Sequence, residues 1–144
     1  MPQTGVFVAT SDTDRAAALD VRHAVFVDGQ GVDESLEHDG LDDEAVHFVA
    51  WDDGSPIGAA RLRTVDADTT KVERVAVRKS HRGNGWGCRI MRTVETDARD
   101  RGYRRVVLHA QAQVEEFYHH LGYRTTSDEF EEAGIPHVEM KRTL

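Results

Sequence analysis

V-E-R-V-A-V-R-K-S-H-R-G-N-G-W-G-C-R-I-M, residues 72–91, decides how the rest of the chain is read. Its valine-rich start predicts a β-strand over 72–77, and the basic run after it predicts a loop over 78–87. Trp86, Ile90, Val94 and Ala98 recur every four residues, so an amphipathic helix should continue to about residue 101. Gly83, Gly85 and Gly87 let the backbone turn tightly and let a ligand approach with no Cβ in the way. Free amides at a helix start make an anion site. From Arg74 to Val94 the chain carries Arg74, Arg78, Lys79, Arg82, Arg89 and Arg92 and no acid, although its net charge is −8. A cationic island at a glycine-rich helix start predicts a phosphate-bearing ligand.

The spacing narrows the choice. A Walker loop needs Lys and Ser/Thr after its last glycine, and neither follows here. A dinucleotide fingerprint needs G-x-G-x-x-G, whereas this chain has G-x-G-x-G. At 144 residues, 39% hydrophobic and 31% charged, the chain suits one soluble domain spanning 1–144. No apolar run approaches membrane length and the start M-P-Q-T-G has no signal-peptide core, so a cytoplasmic protein without membrane contact is expected. The net charge argues against nucleic acid as partner. Eight histidines make no ligand spacing, so no metal is expected, and the single Cys88 has no motif that would make it a nucleophile.

Between Arg22 and Arg61 there is no Lys or Arg, but there are ten acids, among them Asp33, Glu34, Glu37, Asp39 and Asp42. Two readings stay open: a solvated acidic surface, as in a salt-loving source, or a surface that draws in a cationic substrate.

In chain order, residues 5–10 read as a strand and Ser11-Asp12-Thr13-Asp14 as a capping-box helix start. Ala18, Val21 and Val25 carry that helix to about residue 27. Residues 45–51 and 56–65 form a hairpin around Asp53-Gly54, and a third strand begins near Lys71. Residues 104–110 read as a buried strand, parallel to the one before the loop through a right-handed crossover. Val114, Phe117 and Leu121 mark the inner face of a last helix, which leaves Tyr118 at the rim of the core. Residues 123–130 and 137–142 read as two closing strands.

R-x-x-G-x-G at Arg82, Gly85 and Gly87 resembles the coenzyme A loop of the GNAT superfamily of N-acetyltransferases. F-Y-H-H-L-G-Y (117–123) resembles that family's second signature, and the order of elements matches throughout. R-H-A-V-F-V-D-G-Q-G-V (22–32), L-H-A-Q (108–111) and G-I-P-H-V-E-M (134–140) resemble its ElaA-like branch. The resemblance implies an α/β (α+β) single-domain fold. Its mixed sheet would have about six to seven strands and flanking helices, with the fourth and fifth strands splayed.

It also implies an acetyl-CoA-dependent enzyme that acetylates a primary amine by direct attack in a ternary complex. A non-catalytic acyl-CoA-binding or regulatory protein of the same fold is the rival, and a homodimer is left open. Val75, Ala76 and Val77 would bond the pantetheine arm. The amides of Gly83, Asn84, Gly85, Trp86, Gly87 and Cys88 would hold the pyrophosphate, with Arg78 and Arg82 adding charge. Trp86 also reads as core packing at the helix start. Gln111 would contact the coenzyme arm, and Tyr118 would line the coenzyme site as general acid. For the base, Glu73 shares strand parity with Val75 and Val77, and His109 ends the next strand; a water relay is the third option. The position of a carboxylate base in some members falls on Lys71. Gln30 and Glu34, with Asp33 and Glu37, would border the face by which the amine enters.

Overall fold

The computed structural model describes residues 2–144. In chain order, β1 (Gly5–Val8) leads to α1 (Asp12–Arg22), a π-helical turn (His23–Gly29) and the short α2 (Glu34–Glu37). Three antiparallel strands follow: β2 (Val46–Asp52), β3 (Ser55–Thr64) and β4 (Thr69–Val77). Then come α3 (Trp86–Asp100), β5 (Arg105–Gln111), α4 (Glu115–His120), β6 (Arg124–Thr125), β7 (Phe130–Glu132) and β8 (Ile135–Thr143). All eight strands join one mixed sheet in the order β1-β2-β3-β4-β5-β8-β6, with β7 also on β8. The tail thus holds three strands where two were expected. Ala133 and Gly134, both left-handed at φ 53 and φ 74, fold residues 130–143 into a hairpin.

Each face of the sheet has its own core. Ala18, Val21 and Val25 pack on Val49, Ala59 and Ala76 on the α1 face. On the other face, Ile90, Met91 and Val94 of α3 meet Phe48, Leu62, Val72, Leu108 and Met140. Here α3 lies so close that a Cβ on Gly58 would sit 2.7 Å from Ile90 Cδ1 and 2.9 Å from Ala50 Cβ. Ser11 caps α1 by accepting from the Asp14 amide at 3.1 Å, as its sequence position predicts. The π turn follows α1 without a break and ends near Gln30.

Two features place the site. First, β4 and β5 pair in parallel only from Thr69↔Arg105 to Val72↔Leu108. Beyond that both strands continue without pairing each other, so the expected splay is present. Second, β4 carries a bulge: Arg74 sits at φ 57, and the β3–β4 register shifts between Ala59 and Arg61. Val72 belongs to the α3 core and Ala76, four residues on, to the α1 core. The bulge has therefore exchanged the strand's faces.

The acidic interval is tied down by arginines from outside it. Fully buried Arg22 donates to Glu37 and Asp42, both at 2.8 Å. Fully buried Arg61 reaches Asp39 at 2.5 Å, Asp42 at 3.0 Å and Glu73 at 3.2 Å. Arg74 Nε lies 2.7 Å from Glu37 but off the axis of a good hydrogen bond, and its Nη2 reaches Asp39 at 3.3 Å. Part of what reads as solvated surface is a buried ion network. Among the described residues, no helix is long and apolar enough to cross a membrane.

Candidate active site

A cleft of about 500 Å³ opens where β4 and β5 part. Val75, Ala76 and Val77 line one side, with their β5-facing edge free of any strand partner. Arg82 lines its outer end and donates to the Val77 carbonyl at 2.9 Å. Past Arg82, outside the cleft lining, runs the glycine loop. Among the described residues, nothing accepts the amides of Gly83, Asn84, Gly85, Trp86, Gly87 or Cys88. Six consecutive free N–H groups thus stand at the start of a 15-residue helix, where the helix dipole favours an anion.

The three glycines serve two purposes. Gly83 (φ 82) and Gly85 (φ 83) are left-handed, and space around a Cβ there would be open. A Cβ on Gly87 would instead meet the Phe117 ring at 3.1 Å, so that glycine lets α4 pack against α3. Trp86 is buried in the core, as expected, with the Arg89 guanidinium 4.1 Å above its ring. Cys88 Sγ accepts from Arg92 Nε at 3.3 Å. Arg78 departs from expectation. It turns away from the loop, donating to the Pro56 carbonyl at 2.8 Å and Asp20 at 2.7 Å, so it ties β3 to α1.

Tyr118 lies deeper than a rim position. It is 7% exposed, whereas Phe117 and Leu121 are half-buried and Val114 is 39% exposed. The six-residue α4 is too short to present a three-turn stripe, and its tyrosine makes the inner contact. Tyr118 lines the cleft, packs edge-on against Phe117 and Tyr123, and its hydroxyl bonds to nothing among the described residues. Burial pushes its pKa well above the usual tyrosine value.

Glu73 also lines the cleft, but strand alternation sets it opposite Val72, and the bulge at Arg74 returns Val75 and Val77 to the face of Val72, so Glu73 does not share theirs. Its carboxylate is already engaged by Arg63 at 2.5 Å, Arg61 at 3.2 Å and Lys71 at 3.6 Å. Burial alone would raise its pKa; these cations outweigh burial and hold it below the usual range. The parity argument for a free base at Glu73 fails for this reason.

His109 is differently placed. Leu108 and Ala110 point into the α3 core with Tyr118, so His109 between them faces the opposite side of the sheet. Its Nδ1 lies 2.9 Å from Glu132 and its ring meets Phe130 edge-on at 5.0 Å. Glu132, His137 and Phe130 around it were not read as site residues. Their only sequence signal is the Ala133-Gly134 turn that brings β7 back onto β8.

Gln111, at the end of β5, donates to Gln30 Oε1 at 2.8 Å and accepts from Gln113 Nε2 at 2.9 Å. The two expected contacts, one for coenzyme and one for acceptor, thus meet each other. Glu34 is brought in by neither: two-thirds exposed, it lies outside the cleft lining, 3.9 Å from His23 and 4.0 Å from His38. Asp33 caps α2 through the Ser35 amide at 2.8 Å, and Glu37 is buried against Arg22 and Arg74. The acids expected to steer an amine are therefore helix cap, ion pair and outer surface. Among the described residues, no cluster of three His, Cys, Asp or Glu is placed to hold a metal.

A splayed parallel strand pair beside a glycine loop with free amides is the fold of a group of acyl-transferring enzymes. The Acetyltransferase (GNAT) domain family matches residues 9–144. Bacillus subtilis YjcF, an uncharacterised N-acetyltransferase, is 41% identical over 136 residues, 94% of this chain and 96% of that one. Escherichia coli ElaA is 33% identical over 132 residues, 89% of this chain and 86% of its own. The ElaA crystal structure superposes with a TM-score of 0.81, covering 99% of each chain. That of an acyl-CoA N-acyltransferase from Pseudomonas aeruginosa, 27% identical, superposes with a TM-score of 0.86 over 97% of this chain and 99% of that one. The chain belongs to the GNAT acetyltransferase family, and the likeness to ElaA runs through its whole length.

Proposed function

We propose that residues 1–144 act as a single N-acetyltransferase domain that moves an acetyl group from acetyl-CoA to a primary amine. The observation that carries this reading is the run of free amides from Gly83 to Cys88 beside the unpartnered edge of β4. A pyrophosphate satisfies the first and a pantetheine arm, with its own amides, pairs with the second. The matching protein named an acyl-CoA N-acyltransferase supports the donor class.

The amine nitrogen attacks the thioester carbon, and the resulting oxyanion is stabilised by a strand amide of β4. As the C–N bond forms, the amine loses a proton to His109. The C–S bond then breaks, and the thiolate takes the Tyr118 proton. A hydroxyl with a raised pKa stays protonated at neutral pH, as an acid must before turnover. His109 and Tyr118 approach from opposite faces of the sheet, which suits attack on one side and departure on the other. Holding both reactants in the cleft supplies much of the rate.

Thiol release from acetyl-CoA across a panel of amines, peptides and aminoglycosides is the decisive assay. Turnover with at least one amine supports the enzyme. Acetyl-CoA binding with no turnover on any would favour a non-catalytic binding protein.

A further inference from the structure

We infer that Glu132 is the positioning residue for His109, fixing which imidazole nitrogen faces the amine and holding the charge that forms there. The inference rests on the base assignment to His109 made above.

The geometry comes from three strands. His109 stands on β5, opposite Glu139 on β8, and Glu132 arrives from β7 across the Ala133-Gly134 turn. Phe130, two residues before Glu132, packs edge-on against His109 and stacks over His137 at 6.2 Å. The ring of His109 is therefore clamped on one side while its Nδ1 meets the carboxylate at 2.9 Å. A carboxylate can only accept, so the shared hydrogen sits on Nδ1 and Nε2 keeps the lone pair. Nε2 has no hydrogen bond among the described residues; Glu139 Oε2 is 3.8 Å away and is the nearest charge to it.

Other charged groups face the pair. His137 Nε2 lies 3.7 Å from the second Glu132 oxygen, with its own Nδ1 donating to the Ile135 carbonyl at 2.7 Å. Glu139 is occupied by Thr126 at 2.8 Å and Lys141 at 3.7 Å. The hydrogen bond from His109, and more weakly the charge of Lys71 on β4, hold the Glu132 carboxyl below its usual range. Lys71 stands where the resemblance places a carboxylate base, and an ammonium cannot accept the amine's proton. The His109–Glu132 pair supplies that function from the neighbouring strand. When the amine transfers its proton to Nε2, the imidazolium forms against an anion already in contact, with no rearrangement.

The test is Glu132→Gln, which keeps shape and an acceptor but removes the charge, with Glu131→Gln on the exposed side of the same hairpin as control. Saturating kcat should fall roughly 10- to 100-fold, less than the 10²–10⁴ of losing the base itself, while KM for acetyl-CoA stays within twofold. The single tautomer of the His109 ring should be lost: ring-nitrogen NMR shifts without substrate should report Nδ1–H in wild type and a mixture of Nδ1–H and Nε2–H in Glu132→Gln, whose amide can donate as well as accept. An unchanged tautomer and unchanged kcat in Glu132→Gln, with His109→Gln inactive, overturns this inference alone. Full turnover in His109→Gln overturns the base assignment and this inference with it.

Discussion

Gln30 and Gln111, 81 residues apart, meet amide to amide at the cleft, with Gln111 Nε2 2.8 Å from Gln30 Oε1. One closes the π-helical turn after α1 and the other ends β5, so the contact ties that turn to β5 at the cleft. The Gln111 amide is spent on this partner, so a coenzyme arm that used it would have to compete for it. A neutral hydrogen bond of this kind contributes about 0.5–1.5 kcal/mol net. Gln30→Ala should therefore tighten acetyl-CoA binding about two- to tenfold in calorimetry, and Gln111→Ala should weaken it. The same Kd in wild type and Gln30→Ala would mean that Gln111 never leaves its partner.

The glycine loop allows strain and charge to be separated. Gly85→Ala meets no neighbour within 4 Å but must adopt φ 83, which costs an L-residue about 1–2 kcal/mol. Gly85→Glu carries the same strain and puts a negative charge among the free amides. At a hundredfold excess over Kd, acetyl-CoA should stabilise wild type by about 2.7 kcal/mol. Gly85→Ala should be less stable yet still respond, and Gly85→Glu should not respond. Thermal melts with and without ligand decide this; an equal response in all three would move the phosphate site elsewhere.

What was legible in the sequence was what local spacing controls. Apolar residues every four positions gave α3, Asp53-Gly54 gave the first hairpin, and the glycine-rich window gave the loop whose amides stand free at the start of α3. The bulge in β4 was not legible, because Glu-Arg-Val-Ala-Val reads as an uninterrupted strand. It depends on Arg74, whose Nη2 reaches the Leu36 carbonyl at 3.2 Å and Asp39 at 3.3 Å from a distant loop. For the same reason the acids at 37, 39 and 42 looked unbalanced: their partners Arg22, Arg61 and Arg74 lie at or beyond the ends of the interval. Glu132 escaped notice because its approach to His109 needs Ala133 in a left-handed conformation that alanine does not announce.

Tyr118→Phe keeps the ring and its two edge-on aromatic contacts. The hydroxyl has no protein partner to lose, so stability should change by less than about 0.5 kcal/mol. If the hydroxyl protonates the leaving thiolate, kcat should fall roughly 10²–10⁴-fold with acetyl-CoA affinity nearly unchanged. Steady-state kinetics, with a burst experiment to confirm that chemistry limits the rate, provides the readout. An unchanged kcat under those conditions would reduce Tyr118 to a packing residue.

The ion network predicts how stability depends on pH. In the folded chain burial would raise Asp39, Asp42 and Glu73, but Arg61 and its fellow cations outweigh burial, so all three sit below their usual values. Unfolded, they titrate near 3.9 for Asp and 4.3 for Glu. A depressed folded pKa means that the unfolded chain binds protons first, so the stabilisation is complete above about pH 5. It is lost progressively as pH falls below about 4 toward the folded values. Below pH 5 melting temperatures should fall, most steeply from pH 4 to 3. Glu37→Gln at pH 7 should cost about 3–5 kcal/mol, because it leaves buried Arg22 short of a counter-charge. Glu34→Gln, on the outer surface three residues earlier, should cost almost nothing. A flat melting curve down to pH 3, or a Glu37→Gln protein as stable as wild type, would show that these pairs merely break even with their desolvation.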